Sequence, residues 1–161
     1  MPEVLSVPRV VAERVRREAE KLGVSVEEYL LELVSRGLDP ESKAREYVET
    51  ALELLEQGRE ELEKGNVRQA AEKTWGSAAL AVKAHAYWRE GKRLASHGEL
   101  WEYVDRVAEE LGDWARDSWY AASSMHTCFY EGWCTARQVE RAIESVSRLV
   151  KTIAEKIRGR E

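Results

Sequence analysis

Residues 71–92, AEKTWGSAALAVKAHAYWREGK, limit the fold more than any other stretch. Everything between Trp75 and Trp88 is apolar or small, with Lys83 and His85 the only charged or chargeable exceptions. A helix that is hydrophobic all round is wrapped by other helices. This one is too short and too interrupted to span a membrane, which takes about 20 apolar residues. The expected structure is therefore an all-α, up-down antiparallel helical bundle with this segment at its centre and no membrane partner.

The remaining segments read as helices that could surround it. Glu41 to Lys64 is amphipathic, with Ala44, Tyr47, Val48, Ala51, Leu52, Leu54, Leu55 and Leu62 on one side. Gly65-Asn66 marks a tight turn, so the central helix folds back on it. Glu99 to Leu111 follows, with Leu100, Trp101, Val104, Val107 and Leu111 expected inside. Asp113 opens a helix to about Tyr130, and Thr135 caps a last one whose apolar seam runs from Val139 to Ile157. Eleven of the thirteen aromatic residues lie after residue 74, which places the bulky core in the second half.

Residues 1–38 read as a separate N-terminal helical hairpin, and 39–161 as the bundle. Pro8 opens a helix from Arg9 to Leu22 that Gly23 ends. Ser25 and Glu28 form a capping-box pattern for the next, which Gly37 ends. With the weakly alternating EVLSVP ahead of them, the pattern around GVSVEEY resembles ribbon-helix-helix proteins, DNA-binding dimers that lay a two-stranded ribbon in the major groove. The outward positions Val4 and Ser6 carry none of the groups that read base edges well. A hairpin that packs on the bundle or on a dimer mate is the plainer expectation.

Net charge is -5, so the surface as a whole does not attract nucleic acid. Its distribution is uneven. Residues 39–66 carry nine acids against four bases, whereas residues 67–98 carry six bases against two acids. Charged residues make up 34% of the chain and Asn plus Gln number only four, a hyperthermophile tendency. No apolar leader is present, so the expected location is cytoplasmic.

With the helices placed, residues 47–86, YVETALELLEQGREELEKGNVRQAAEKTWGSAALAVKAHA, resemble the first two helices of the HEPN superfamily. KAHA, SHGELWEYV and MHTCFYEGW resemble the archaeal PaREP family, a helical family related to HEPN. The likeness runs from about residue 41 onward, and the N-terminal hairpin also looks like that of some family members. It implies an up-down bundle that forms a homodimer. For HEPN-like proteins it implies one of two roles. Some are metal-independent RNases with an Arg, four to six residues, then a His. Others are non-catalytic binding or adaptor modules that meet nucleotide, RNA or a nucleotidyltransferase partner. Here nine residues separate Arg116 from His126 and seven separate Arg89 from His97, while Arg93 and His97 are too close, so the RNase spacing is absent. The expected function is the non-catalytic module, with no cofactor. The alternatives are a metal-independent RNase or a ribbon-helix-helix regulator or antitoxin.

The expected ligand-binding residues are Lys83, Arg89, Lys92, Arg93, His97, His126 and Tyr130. Arg89, Lys92, Arg93 and His97 form a cationic helix end and loop that could hold a phosphate, with Arg giving bidentate contacts. The plainer reading is a solvated loop offsetting Glu99 and Glu102, with His97 capping the next helix. His126, beside Tyr130, could do acid–base work. His85 and His126 both read first as core histidines hydrogen-bonded to a neighbour. Cys128 and Cys134 are read first as buried free thiols, and a disulfide between them second. With His126 they give H-x-C-x5-C, which matches no usual zinc spacing, so no metal is expected.

Overall fold

Local chain chemistry sets most helix boundaries. In the computed structural model, which describes residues 2–159, the helices are α1 (Arg9–Leu22), α2 (Val26–Ser35), α3 (Pro40–Glu63), α4 (Val67–Glu90), α5 (His97–Leu111), α6 (Trp114–Glu131) and α7 (Ala136–Ile157). Among the described residues there is no strand. The chain is all-α, as the apolar periodicity requires.

The chain divides into two compact units, one ending at Asp39 and the other beginning at Pro40. In the first, Pro8 precedes α1 and its carbonyl accepts from Val11 and Ala12. Gly23, at φ 69°, lets the chain turn so that backbone N–H groups close onto Ala19 and Glu20. Ser25 Oγ accepts from Glu28 N at 3.1 Å and starts α2. Residues 2–8, which include the weakly alternating EVLSVP, have no regular secondary structure.

In the second unit α3, α4, α6 and α7 form an up-down bundle. α4 packs against α3, α5, α6 and α7, the central place its all-round apolar composition predicts. Ala70, Ala78, Leu80, Val82, Ala84 and Ala86 on α4 are fully buried. Small residues bring α3 and α4 close. A Cβ on Gly58 would sit 3.2 Å from Thr74 Oγ1, and Ser77 Oγ donates to the Ala51 carbonyl at 2.6 Å. On α7, Val139, Ile143, Val146, Val150, Ile153 and Ile157 are buried, each contributing roughly 1.5–3 kcal/mol by leaving water. Thr135 and Gln138 complete a capping box at its start.

α5 lies outside this up-down order. His97 at its start meets Trp75, Tyr103 meets His85, and Glu110 at its end meets Arg89. It therefore runs parallel to α4. The connection Gly91–Ser96 must return along α4, over about 21 Å from the level of Arg89 to that of Trp75 at 1.5 Å per residue. Six extended residues reach about 20 Å. Buried Leu94 pins the return. The cap of α5 is Ser96, whose Oγ accepts from Glu99 N at 3.2 Å, so the expectation that His97 caps it is corrected. Trp101, expected in the core, is 45% exposed because the inner face of α5 is filled by Leu100, Tyr103, Val104, Val107 and Ala108.

Candidate functional site

The returning loop delivers His97 to a point where three helices meet. α4 supplies Glu72 and Trp75, α5 supplies His97, and α6 supplies His126 and Tyr130. Trp75 is buried and forms the floor. His126 stacks on it with ring centroids 4.8 Å apart and planes at 28°. His97 stands edge-on to both, 5.6 Å from Trp75 and 5.4 Å from His126. Tyr130 meets the other side of His126 edge-on at 5.2 Å. Glu72 Oε1 lies 3.2 Å from His126 Nδ1. A carboxylate there favours a proton on Nδ1, which leaves Nε2 as the acceptor of the neutral ring. His97 is exposed and His126 half-buried, so neither is the sealed core histidine expected of His126.

The same face continues along α5 and α6. Trp101 follows His97 by four residues, one helical turn on the same side. It stacks on Tyr120 at 5.8 Å and 26°, and its edge meets the fully buried Trp119. Trp119 in turn touches Trp75 at 5.1 Å. A continuous chain of ring contacts thus links the imidazole pair to the Trp101–Tyr120 stack. Beneath it, Trp119 Nε1 and Ser123 Oγ are buried polar atoms with no hydrogen-bond partner.

The end of α6 is held from two sides. Arg68 Nε and Nη2 donate to the Phe129 carbonyl at 2.9 and 2.7 Å, and Nη2 also donates to Tyr130 O at 3.2 Å. Gly132 takes φ 71°, and a Cβ there would meet the Arg68 guanidinium at 3.4 Å. Cys128 and Cys134 form a disulfide across this turn, which corrects the expectation of free thiols. A one-turn C-cap brings their Cα atoms within 5.6 Å, a fold-back that sequence spacing alone does not reveal. Among the described residues no cluster of metal-ligating side chains occurs.

The expected ligand residues fall into separate places. His97, His126 and Tyr130 come together. Arg89 is near the far end of α4, where its Nε donates to Glu110 Oε1 at 2.8 Å and its guanidinium covers Trp88. Lys92 and Arg93 lie on the return loop near Glu99, whose carboxyl accepts from Ala95 N. That hydrogen bond, with smaller contributions from Lys92 and Arg93, holds Glu99 below the usual carboxylate range. Lys83 is half-buried on α4. Arg116 is engaged by Asp105 and Asp113, about 15 Å along α6 from His126.

His85 occupies a second polar cluster, deep in the core. Its Nδ1 is 2.8 Å from Tyr103 Oη, and its Nε2 lies 3.3 Å from Glu110 Oε1, close enough for charge attraction but not aligned as a hydrogen bond. Burial lowers the imidazole pKa, and Glu110 only partly offsets this. Burial alone raises the Glu110 carboxyl, but the hydrogen bond from Arg89 and the charges of His85, Arg89 and Lys156 outweigh it and bring it below its usual value. Tyr103 is raised, chiefly by burial.

Sequence reasoning did not single out Glu72, Trp75, Trp101 or Tyr120 as parts of this site. Trp101 fits the apolar periodicity of its buried neighbours, and only the packing separates it from them, whereas Tyr120 falls outside the buried stripe of α6. The signal that was available is the density of aromatic residues in α5 and α6.

The fold and site together define an all-helical bundle with a histidine–aromatic surface face. The chain matches the model of the Archaeal PaREP1/PaREP8 family over residues 46–150, more than half its length, and belongs to that family. The match contains every residue of that face. No curated protein and no solved structure matches the chain.

Proposed function

We propose that this chain is a non-catalytic, HEPN-like binding or adaptor module that takes a phosphate-bearing ligand, nucleotide or nucleic acid, at the His97–His126 pair. It would work as a homodimer, with a nucleotidyltransferase as one candidate partner. One observation carries the reading: two imidazoles meet at 5.4 Å at a half-open surface, between a buried Trp75 floor and an exposed Tyr130. Imidazole N–H groups donate to phosphate oxygens, more strongly when protonated. The adjoining rings supply stacking surfaces.

The test is titration of the native protein with a nucleoside triphosphate at low salt, where phosphate contacts are strongest, followed by intrinsic tryptophan fluorescence. Replacing His97 and His126 together with Ala should weaken binding at least tenfold while the melting curve changes little. Arg89→Ala should leave affinity unchanged, because Arg89 faces Glu110. Failure of the native protein to bind would overturn the reading.

A second reading, metal-independent RNA cleavage, is favoured by the contact of Glu72 with His126. One imidazole would take the 2′-hydroxyl proton as the 2′-oxygen bonds to phosphorus. The other would protonate the 5′-oxygen as its bond to phosphorus breaks. This reading needs mixed RNA to be cut in the presence of a chelator, and the cutting to vanish in both His97→Ala and His126→Ala. Intact RNA after prolonged incubation would remove it.

A further inference from the structure

Within residues 40–159 the exposed large hydrophobic side chains are Trp101, Tyr120, Tyr130 and Trp133. All are aromatic, and all belong to α5, α6 or the turn after α6. Tyr and Trp are enriched at protein interfaces as well, so the order of the groups along the face, rather than their ring content, selects the ligand. Flat rings left at 45–66% exposure suit ligands that are themselves flat.

Their order along the face adds a second constraint. His97 and Trp101 share one face of α5 a turn apart, and across from them α6 presents His126 and Tyr120. The face thus has a donor station for an anion beside a stacking station for a ring. Ser123, three residues from both Tyr120 and His126, holds a buried, unpartnered hydroxyl beneath the two stations. One turn beyond Trp101, Asp105 is engaged by Arg116, which puts a carboxylate where the stacking station ends.

From this alternation we infer that the exposed α5–α6 face is a track for a single-stranded polynucleotide. A base lies against Trp101 and Tyr120, the adjoining phosphate meets His97 and His126, and the next base meets Tyr130. The inference rests on the proposed phosphate site and adds the class of ligand. A duplex does not fit, because its bases are stacked on one another and cannot reach the rings.

The experiment uses the full chain, end-labelled octamers of RNA and DNA, a hairpin duplex of similar charge, and AMP as a one-nucleotide probe. Fluorescence anisotropy at low salt reads the octamers and the duplex; calorimetry reads AMP. Single strands should bind at least tenfold more tightly than the duplex, and the RNA and DNA arms show whether the sugar is sensed. Trp101→Ala and Tyr120→Ala should each weaken octamer binding about tenfold or more. Trp101→Phe should retain most of it, and AMP, whose one base and one phosphate fill the same two stations, should weaken in the Ala variants as well. Both side chains are half exposed, so folding should survive, as far-ultraviolet dichroism would verify. Equal affinity for duplex and single strand, or octamer binding untouched by Trp101→Ala, overturns the track. So does loss of self-association in Trp101→Ala by sedimentation with octamer binding intact, since the face would then belong to a second copy. AMP binding without octamer binding sinks the track alone, whereas no binding of either sinks the phosphate site as well.

Discussion

His85 Nε2 faces the same Glu110 oxygen that accepts from Arg89, at 3.3 Å against 2.8 Å. The carboxylate therefore binds an exposed cation on one side and a buried imidazole on the other. It favours the Nε2–H tautomer and leaves Nδ1 to accept from the Tyr103 hydroxyl. The cluster ties the last turns of α4 to the middle and the end of the neighbouring α5.

Acid should weaken this arrangement. The folded pKa of His85 lies below its ordinary 6.5, so the unfolded chain binds the proton more readily. Stability present above pH 6.5 is then lost as pH falls through the folded pKa. Glu110 is also lowered, and its contribution, present above 4.5, fades further down. Melting temperature should decline from pH 7.5 to pH 5, and His85→Gln should flatten that part of the profile. A profile in His85→Gln as steep as the native one would show that other groups control it.

Two helix-interior glycines should respond in opposite ways. At Gly58 an added side chain meets Thr74 Oγ1 at 3.2 Å and the Ala70 backbone at 3.5 Å, neither of which can swing clear. Gly58→Leu should cost about 1–3 kcal/mol through overpacking. At Gly76 the nearest atom is the tip of Leu54 at 3.3 Å, which can rotate. Gly76→Ala should be neutral or gain up to about 1 kcal/mol from helix propensity. Chemical denaturation of both variants gives the comparison directly.

The Cys128–Cys134 bond should be visible by mass. Alkylation of the native protein without reductant should add nothing, and after reduction in denaturant it should add two groups. Reduction should lower stability by about 2 kcal/mol, the usual size for a short closed loop. It should also loosen the segment that carries Trp133, which lies between the two cysteines in sequence. Uptake of two alkyl groups without reductant would show free thiols.

Helix limits were legible because they depend on neighbours a few residues away. Arg9–Leu22 is bounded by Pro8 and Gly23, and Thr135 caps α7, each as local chemistry predicts. The site was legible only in part. Arg89, Lys92, Arg93 and His97 are close in sequence, which suggested one cationic pocket. The return loop carries His97 about 21 Å back along α4, away from Arg89. Partners such as Glu72 and His126 are 54 residues apart and meet only through packing. The periodicity that places Leu100 inside also admits Trp101, and only the width of the buried stripe on α5 decides between them.

Arg68 offers a test of how far the α5–α6 face depends on support from behind. It touches no ring of that face, yet its guanidinium satisfies the Phe129 and Tyr130 carbonyls at the end of α6 and lies over Phe129. Arg68→Ala leaves those carbonyls to water, and the last turn of α6, which holds Tyr130 against His126, should fray. Global stability should fall by only about 1–2 kcal/mol, because the site is exposed. Hydrogen exchange in residues 127–131 should speed up markedly while that of α7 stays as it was. Arg68→Lys should recover only part of the protection, since an ammonium cannot reproduce the paired donors of the planar fork. Unchanged exchange in Arg68→Ala would mean that the disulfide alone holds the turn.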